Sequence, residues 1–262
     1  MIRPVNKNGF TLIELLIAMA IASIIMGAVF SVFIAQVRGQ VSQDISLDMI
    51  QGARAALDMM ADEIRMANCD PTQGANARII TASAGELIFS LDVDDDAETN
   101  QPDGDYCDGN EVIRYHLTRL LDADNNGVND NIASGVACNL CRETGAAIEL
   151  SSPCPTPTKS GLQQFALNID ALDFVYLGPD TDGDGEPDIL NPLRTAVPAA
   201  DLNDIRCIEV TLVARGGLVI PVLAQLYTNN NRYWNQQGDA ILPAQKDRFR
   251  RLRLTTTITV RN

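Results

Sequence analysis

Residues 10–35 are apolar at nearly every position, with Glu14 as the one ionisable group among 26 residues. A run of that length spans a bilayer core of about 30 Å as a helix. From Gln36 the pattern changes without ending. Apolar residues fall at Val41, Ile45, Met49, Ala53, Leu57, Met60, Ile64 and Ala67, three or four apart, which draws one stripe along an α-helix. Gln, Arg, Asp, Ser and Glu lie between them. No proline interrupts the chain from Phe10 to Asp70, and Asp70-Pro71 then stops the pattern. The spacing predicts one helix from Phe10 to Ala67, apolar all round in its first half and one-sided in its second. Breaks near Gly39 or Gly52 would give two helices, and the second would still have a stripe to bury.

The rest of the chain changes period. Strand-like runs occupy 77–82, 86–92, 111–121, 165–177, 205–214, 218–226 and 252–260, several of them alternating as in Leu254-Thr255-Thr256-Thr257-Ile258-Thr259-Val260. Strands with no helices between them predict an antiparallel sheet. The expected fold is α+β: a long N-terminal helix, half membrane and half amphipathic, packed on an antiparallel β-sheet head. The segments are a leader at 1–9, a membrane or filament-core helix at 10–35, its amphipathic continuation at 36–70 and the head at 71–262. Long connections remain at 93–110, 122–163, 178–204 and 227–248, and loops of that length are usually functional or disordered.

Two of these connections carry the acid. In 180–188, Asp180, Asp182, Asp184 and Asp188 take positions 1, 3, 5 and 9 of an EF-hand-like loop, Gly185 takes position 6, and Glu186 stands at position 7, where the backbone carbonyl is the ligand. Carboxylates packed this closely repel one another unless a hard cation lies among them. Residues 122–130 repeat the spacing with Asp122, Asp124, Asn126, Gly127, Val128 and Asp130. Neither loop has a glutamate at position 12, where Asn191 and Ala133 stand. Both are therefore expected to bind calcium weakly, in the range of extracellular modules, about 10⁻⁴ to 10⁻³ M. A solvated turn of Asp, Asn and Gly is the plainer alternative. Asp92, Asp94 and Asp96 have a similar spacing but Ala97 in place of glycine; Asp103, Asp105 and Asp108 lie close by and would contribute to a looser site.

The formal charge of −14 argues against nucleic acid and anionic lipid as partners of the chain as a whole. Six cysteines, Cys69, Cys107, Cys138, Cys141, Cys154 and Cys207, all follow the apolar run. An even count on an exported segment points to disulfides, with the pairing open. Cys138-x-x-Cys141 is also half of a zinc site or a redox motif, but it lacks a second close pair and a thioredoxin-like pattern. His116 lies alone in a strand-like run. No Ser/His/Asp set or phosphate-cradling glycine loop is present, so no enzyme activity is expected.

The start of the chain decides the class. Arg3 and Lys7 precede the apolar run with no acid among them, which keeps the leader in the cytoplasm and sends the rest across. A secretory signal has its cut site after the apolar region. Here Lys7-Asn8-Gly9-Phe10-Thr11-Leu12-Ile13-Glu14-Leu15 resembles the signal of type IV pilins and type II secretion pseudopilins, in which the cut falls before it. The resemblance implies cleavage between Gly9 and Phe10 by a prepilin peptidase and N-methylation of Phe10. It also implies pairing of Glu14 with the Phe10 amine of a neighbouring subunit. Tolerance of Glu14 among the headgroups is the simpler account of that residue.

Size and the C-terminal run from Arg248 to Asn262 look most like the PilW-type minor pilins and the related GspJ-type pseudopilins. The cysteines from Cys138 to Cys154 and the proline-free helix depart from that pattern. The resemblance implies a minor subunit of the initiation and tip complex that meets other minor and major pilins. It would sit in the inner membrane with a periplasmic head, and later at the tip of an extracellular filament. A type II secretion pseudopilin and a calcium-dependent tip adhesin are the alternatives. For the adhesin, Tyr233, Trp234 and the asparagines 229–231 would meet a surface ligand, although core or anchoring roles suit those aromatics better.

Overall fold

The computed structural model describes residues 10–93, 101–106, 109–145, 161–216 and 228–261. Two compact units divide the chain, Met1–Ile45 and Ser46–Asn262. One helix, α1 (Leu12–Arg65), runs through Gly39 and Gly52 without a break. In the first unit its apolar side chains are uncovered by the chain itself, and its length and composition suffice to cross a membrane. Ser23 and Ser31 donate their hydroxyls to the carbonyls of Met19 and Ala28, both at 2.7 Å, so these polar groups are satisfied within the helix. A lipid environment requires that.

In the second unit the stripe is buried as its spacing predicts. Ala53, Leu57, Met60, Ile64 and Ala67 are buried, joined by Ala56 and Ala61. They pack against a five-stranded antiparallel sheet of β1 (Ile79–Ala82), β2 (Glu86–Ser90), β3 (Val112–Leu117), β4 (Asn139–Thr144) and β5 (Gly161–Leu167), in that order. A three-stranded antiparallel sheet joins the same core, with β6 (Ile169–Leu177) and β10 (Arg251–Thr259) flanking β7 (Cys207–Arg215). Phe89, Tyr115, Leu140, Phe174, Tyr176 and Leu212 belong to that core with the helix stripe, each fully buried. Full burial of one such side chain is worth about 1.5–3 kcal/mol. One polar contact fixes the helix's rotation: Arg142 of β4 donates to both Glu63 oxygens at 2.9 and 3.0 Å, and the Tyr115 hydroxyl donates to the same carboxylate. A small ribbon of β8 (Tyr233–Trp234) and β9 (Ala240–Leu242) completes the described strands.

Three strand expectations need correction. Residues 165–177 are not one strand: Asn168, at φ 59°, breaks the stretch so that β5 and β6 enter different sheets. Asparagine tolerates that left-handed conformation better than most residues. The run expected at 111–121 ends at Leu117, and a turn closed by the Leu121 and Asp122 N–H groups on the Thr118 carbonyl follows. Strands β4, β8 and β9 lie inside segments read as connections. The polar residues Arg142 and Glu143 hide β4, because its buried ion pairs look like a loop in sequence. The strand expected at 218–226 lies outside the described residues.

Candidate functional site

At the amino end Thr11 precedes the first helical residue. Its backbone N–H and its hydroxyl both donate to Glu14 Oε2 at 2.9 Å, and the Glu14 N–H donates to the Thr11 hydroxyl at 3.3 Å. This is a capping box, in which two side chains reciprocally satisfy the open N–H groups of a helix start. Glu14 therefore has a local partner at the start of its own helix. Phe10 stands just before the cap and is exposed, and Gly9 lies outside the described residues.

The loop 180–188 hangs from the end of β6. Gly178 N–H donates to the Asp188 carbonyl at 2.8 Å and closes its base. Within it Asp180 accepts from the N–H groups of Gly183 (2.6 Å) and Gly185 (2.9 Å), which hold its carboxyl below the usual carboxylate range. Asp182 and Asp184 accept from the N–H groups of Asp184 and Glu186. Oxygens of Asp180, Asp182 and Asp188 all lie within 4.8 Å of one another, close enough to share a cation. Asp184 and Glu186 are exposed and outside that group.

The loop 122–130 is built differently. Asp122 is buried at its root and accepts from the N–H groups of Asn126 and Gly127, both at 3.0 Å. Asp130 accepts from Ala123 N–H at 2.9 Å, and Asn126 Oδ1 from Val128 N–H at 2.8 Å. Hydrogen bonds from Asn129 to Asp170 and from Leu172 to Gly127 flank Val128, which pairs with Ala171 of β6. That pattern turns the N–H and carbonyl of Val128 away from β6 and toward the loop, the direction a position-7 ligand needs. The carboxylates of Asp122, Asp124 and Asp130 are not drawn together as those of the other loop are. Burial pushes the Asp122 carboxyl up to about 6, against the pull of the two N–H groups.

Of the third acidic run, Asp92 is buried and accepts from the Thr72 hydroxyl at 2.8 Å, a structural use. Asp103 accepts from the N–H of Asp105 at 2.9 Å. Asp94, Asp96 and Asp108 lie outside the described residues.

Residues 5–30 match the model of the prokaryotic N-terminal methylation motif. The chain therefore carries a prepilin-like methylation motif at its amino end. Comparison with curated proteins gives no match. Among solved structures, a type IV-like pilin from Thermus thermophilus is similar at 13% identity and a TM-score of 0.40, over 80% of this chain and 95% of that one.

Cys69, Cys138, Cys141 and Cys207 are free cysteines in the structure; Cys107 and Cys154 lie outside the described residues. Cys138 and Cys141 flank Thr118 beside the five-stranded sheet, while Cys207 opens β7 opposite Leu177 and Thr259. Burial pushes the thiols of Cys138 and Cys141 up. His116 is buried on β3, as a strand residue. Tyr233 is a core residue whose hydroxyl meets Asn229 and Arg251, whereas Trp234 is 43% exposed. Sequence reading passed over Arg194, which donates to Asp173 of β6 at 2.6 Å and to the Asn126 carbonyl at 2.6 Å, and so ties loop 122–130 to the sheet. Its left-handed backbone, φ 61°, has no sequence signal.

Proposed function

We propose that this protein is a minor type IV pilin, a subunit of a filament's initiation and tip complex, with a head stabilised by calcium. One observation carries the reading: the methylation motif at 5–30 overlaps an apolar helix with no cover from its own chain. A helix of that kind must find lipid or other helices, and the motif implies processing by a prepilin peptidase and assembly with other pilins. Before assembly the helix would sit in the inner membrane with the head in the periplasm. Afterwards it would pack in the filament core. The large head favours the tip, where no further subunit lies above it.

Glu14 supports assembly in two steps on this reading. In the free subunit its carboxylate caps Thr11; in the filament it meets the Phe10 amine of a neighbour, where both charges are neutralised among apolar helices. Replacing Gly9 by a bulky residue should leave an unprocessed precursor, visible by intact mass. Glu14→Ala should be cut normally yet be nearly missing from sheared filaments. Normal shortening of the first variant, or normal filament content of the second, overturns the assignment.

Calcium would hold the loops 180–188 and 122–130. Chelation should lower the melting temperature of the head by several degrees, and Asp182→Ala with Asp184→Ala should remove much of the response. The sign of its pH dependence follows from Asp122. A carboxyl whose folded pKa lies near 6, above its ordinary 3.8, binds its proton more tightly in the folded state. Without metal, stability therefore rises as pH falls through 6 toward 4 and is lowest above 6. A cation must displace that proton, so calcium stabilisation should shrink between pH 7 and pH 5, and Asp122→Asn should flatten the dependence. An unchanged melting temperature at millimolar calcium and pH 7.5 refutes the metal assignment.

A further inference from the structure

Side chains alternate between the two faces of a strand, so the five-stranded sheet has a face turned away from helix α1. Leu87, Tyr115, Leu117 and Leu140 belong to the core on the helix side. Glu86, His116 and Cys141 fall on the other side, and the register sets them next to one another across β2, β3 and β4. Residues directly opposite in such a ladder hold their Cβ atoms about 4.5–5.5 Å apart. Glu143 follows two positions along β4, on the same face as Cys141. Cys138 packs in the helix-side core, so the pair Cys138-x-x-Cys141 is split between the two faces. What Cys141 meets across the ladder is the chain's one histidine.

His116 and Cys141 are buried, with exposures of 3% and 2%. Nδ1 of His116 lies 2.5 Å from the Leu117 carbonyl oxygen. A carbonyl only accepts, so Nδ1 carries the proton and Nε2 presents a lone pair. That buried Nε2 has no hydrogen-bond partner. It faces Glu143 Oε2 at 3.6 Å, one acceptor against another. A hydrogen bond would bring the two atoms to about 2.9 Å. On a tetrahedral zinc ion, with each ligand atom about 2.1 Å from the metal, they would stand about 3.4 Å apart. The observed gap fits the second arrangement better. A metal-bound histidine also donates its other ring N–H to a carbonyl or carboxylate, as His116 does to Leu117. Arg114 and Arg119 stand 3.6 and 3.8 Å from the same Glu143 oxygen, near enough to attract and too far to hydrogen-bond, and Arg114 is already held by Glu86.

We propose that His116 Nε2, Cys141 Sγ and Glu143 Oε2 bind one zinc ion on this face. Cys141 Sγ rests beside Thr118 Oγ1 at 3.6 Å, and a turn about its Cα–Cβ bond moves it toward His116, its neighbour across the ladder. On binding, the thiol proton leaves to solvent. Thiolate, carboxylate and neutral imidazole then fill three corners of a tetrahedron, with water at the fourth. A mixed set of nitrogen, sulfur and oxygen donors selects zinc over calcium, which takes oxygen alone. The ion ties β3 to β4. This site goes beyond the function proposed above and does not depend on it.

Cobalt(II) is the probe. The full chain, purified in neutral detergent, reduced with a phosphine and held in excess calcium to occupy oxygen-only sites, is titrated with cobalt(II). The expected result is one cobalt per chain, with thiolate-to-cobalt charge-transfer absorption and tetrahedral ligand-field bands that zinc erases. Cys141→Ser should remove the charge-transfer absorption, and His116→Gln should weaken cobalt binding by about 100-fold. X-ray absorption of the zinc-loaded native chain, which needs no substitution, should show one sulfur and one imidazole at the ion. The proposal is overturned by a missing charge-transfer absorption, by its persistence in Cys141→Ser, by unweakened binding in His116→Gln, or by a zinc shell with two sulfurs or none. A His116 that is merely protonated against Glu143 gives no absorption and overturns it equally. None of these readouts senses calcium, so their failure leaves the pilin reading standing.

Discussion

Gly127→Ala should cost the head about 3–5 kcal/mol, while Gly185→Ala at the same loop position should cost about 1 kcal/mol. Both glycines have positive φ, 78° and 91°, so an alanine is strained at either. The surroundings separate them. A Cβ on Gly127 would stand 2.1 Å from the Leu172 carbonyl oxygen and 2.9 Å from Gly85 Cα, and neither is a flexible side chain that can swing aside. A Cβ on Gly185 meets nothing within 4 Å. Urea unfolding of the detergent-solubilised chain, followed by fluorescence of Trp234, the one tryptophan, gives both losses. Equal losses would mean that loop 122–130 does not press on β6 as described.

Asp170→Ala should cost a similar amount, about 3–5 kcal/mol. Asp170 is fully buried between the side chains of Arg251 and Arg215, with Oδ2 at 2.6 Å from Arg251 Nε and Oδ1 at 3.6 Å from Arg215 Nε. Arg251 would keep Asp247, but among the described residues Arg215 would keep the Gly135 carbonyl at 3.3 Å and the Phe249 ring at 4.3 Å. A buried guanidinium without its counter-charge is the costly state, so the loss measures what remains behind and not the worth of the pair. The exposed pair Arg65 and Asp62, at 2.7 Å, supplies the control: Arg65→Ala should cost less than about 0.5 kcal/mol. A loss below about 1 kcal/mol for Asp170→Ala would show that water reaches the site.

These two cases mark how far sequence carries. The spacing of 122–130 and 180–188 is visible by inspection, and so is glycine at the sixth position of each. That Gly127 is jammed against β6 and Gly185 is not depends on Leu172, 45 positions away, and on a turn at Gly85. The helix was legible because its period is local: residues 53–67 of the stripe are buried where the spacing places them. Strand β4 was hidden because its polar residues are satisfied by partners remote in sequence, Glu63 for Arg142 and Arg114 for Glu143. The split between β5 and β6 hangs on the backbone of Asn168 alone.

The Thr11–Glu14 cap has a consequence for maturation. Helix α1 starts at Leu12, so the bond before Phe10, where cleavage is proposed, lies upstream of the first helical turn. Proteolysis needs an extended backbone, and here it can proceed without unravelling the rod. On the proposed reading, precursor and product would share one folded helix, and the cut would remove the leader with Arg3 and Lys7 and leave a new amine at Phe10.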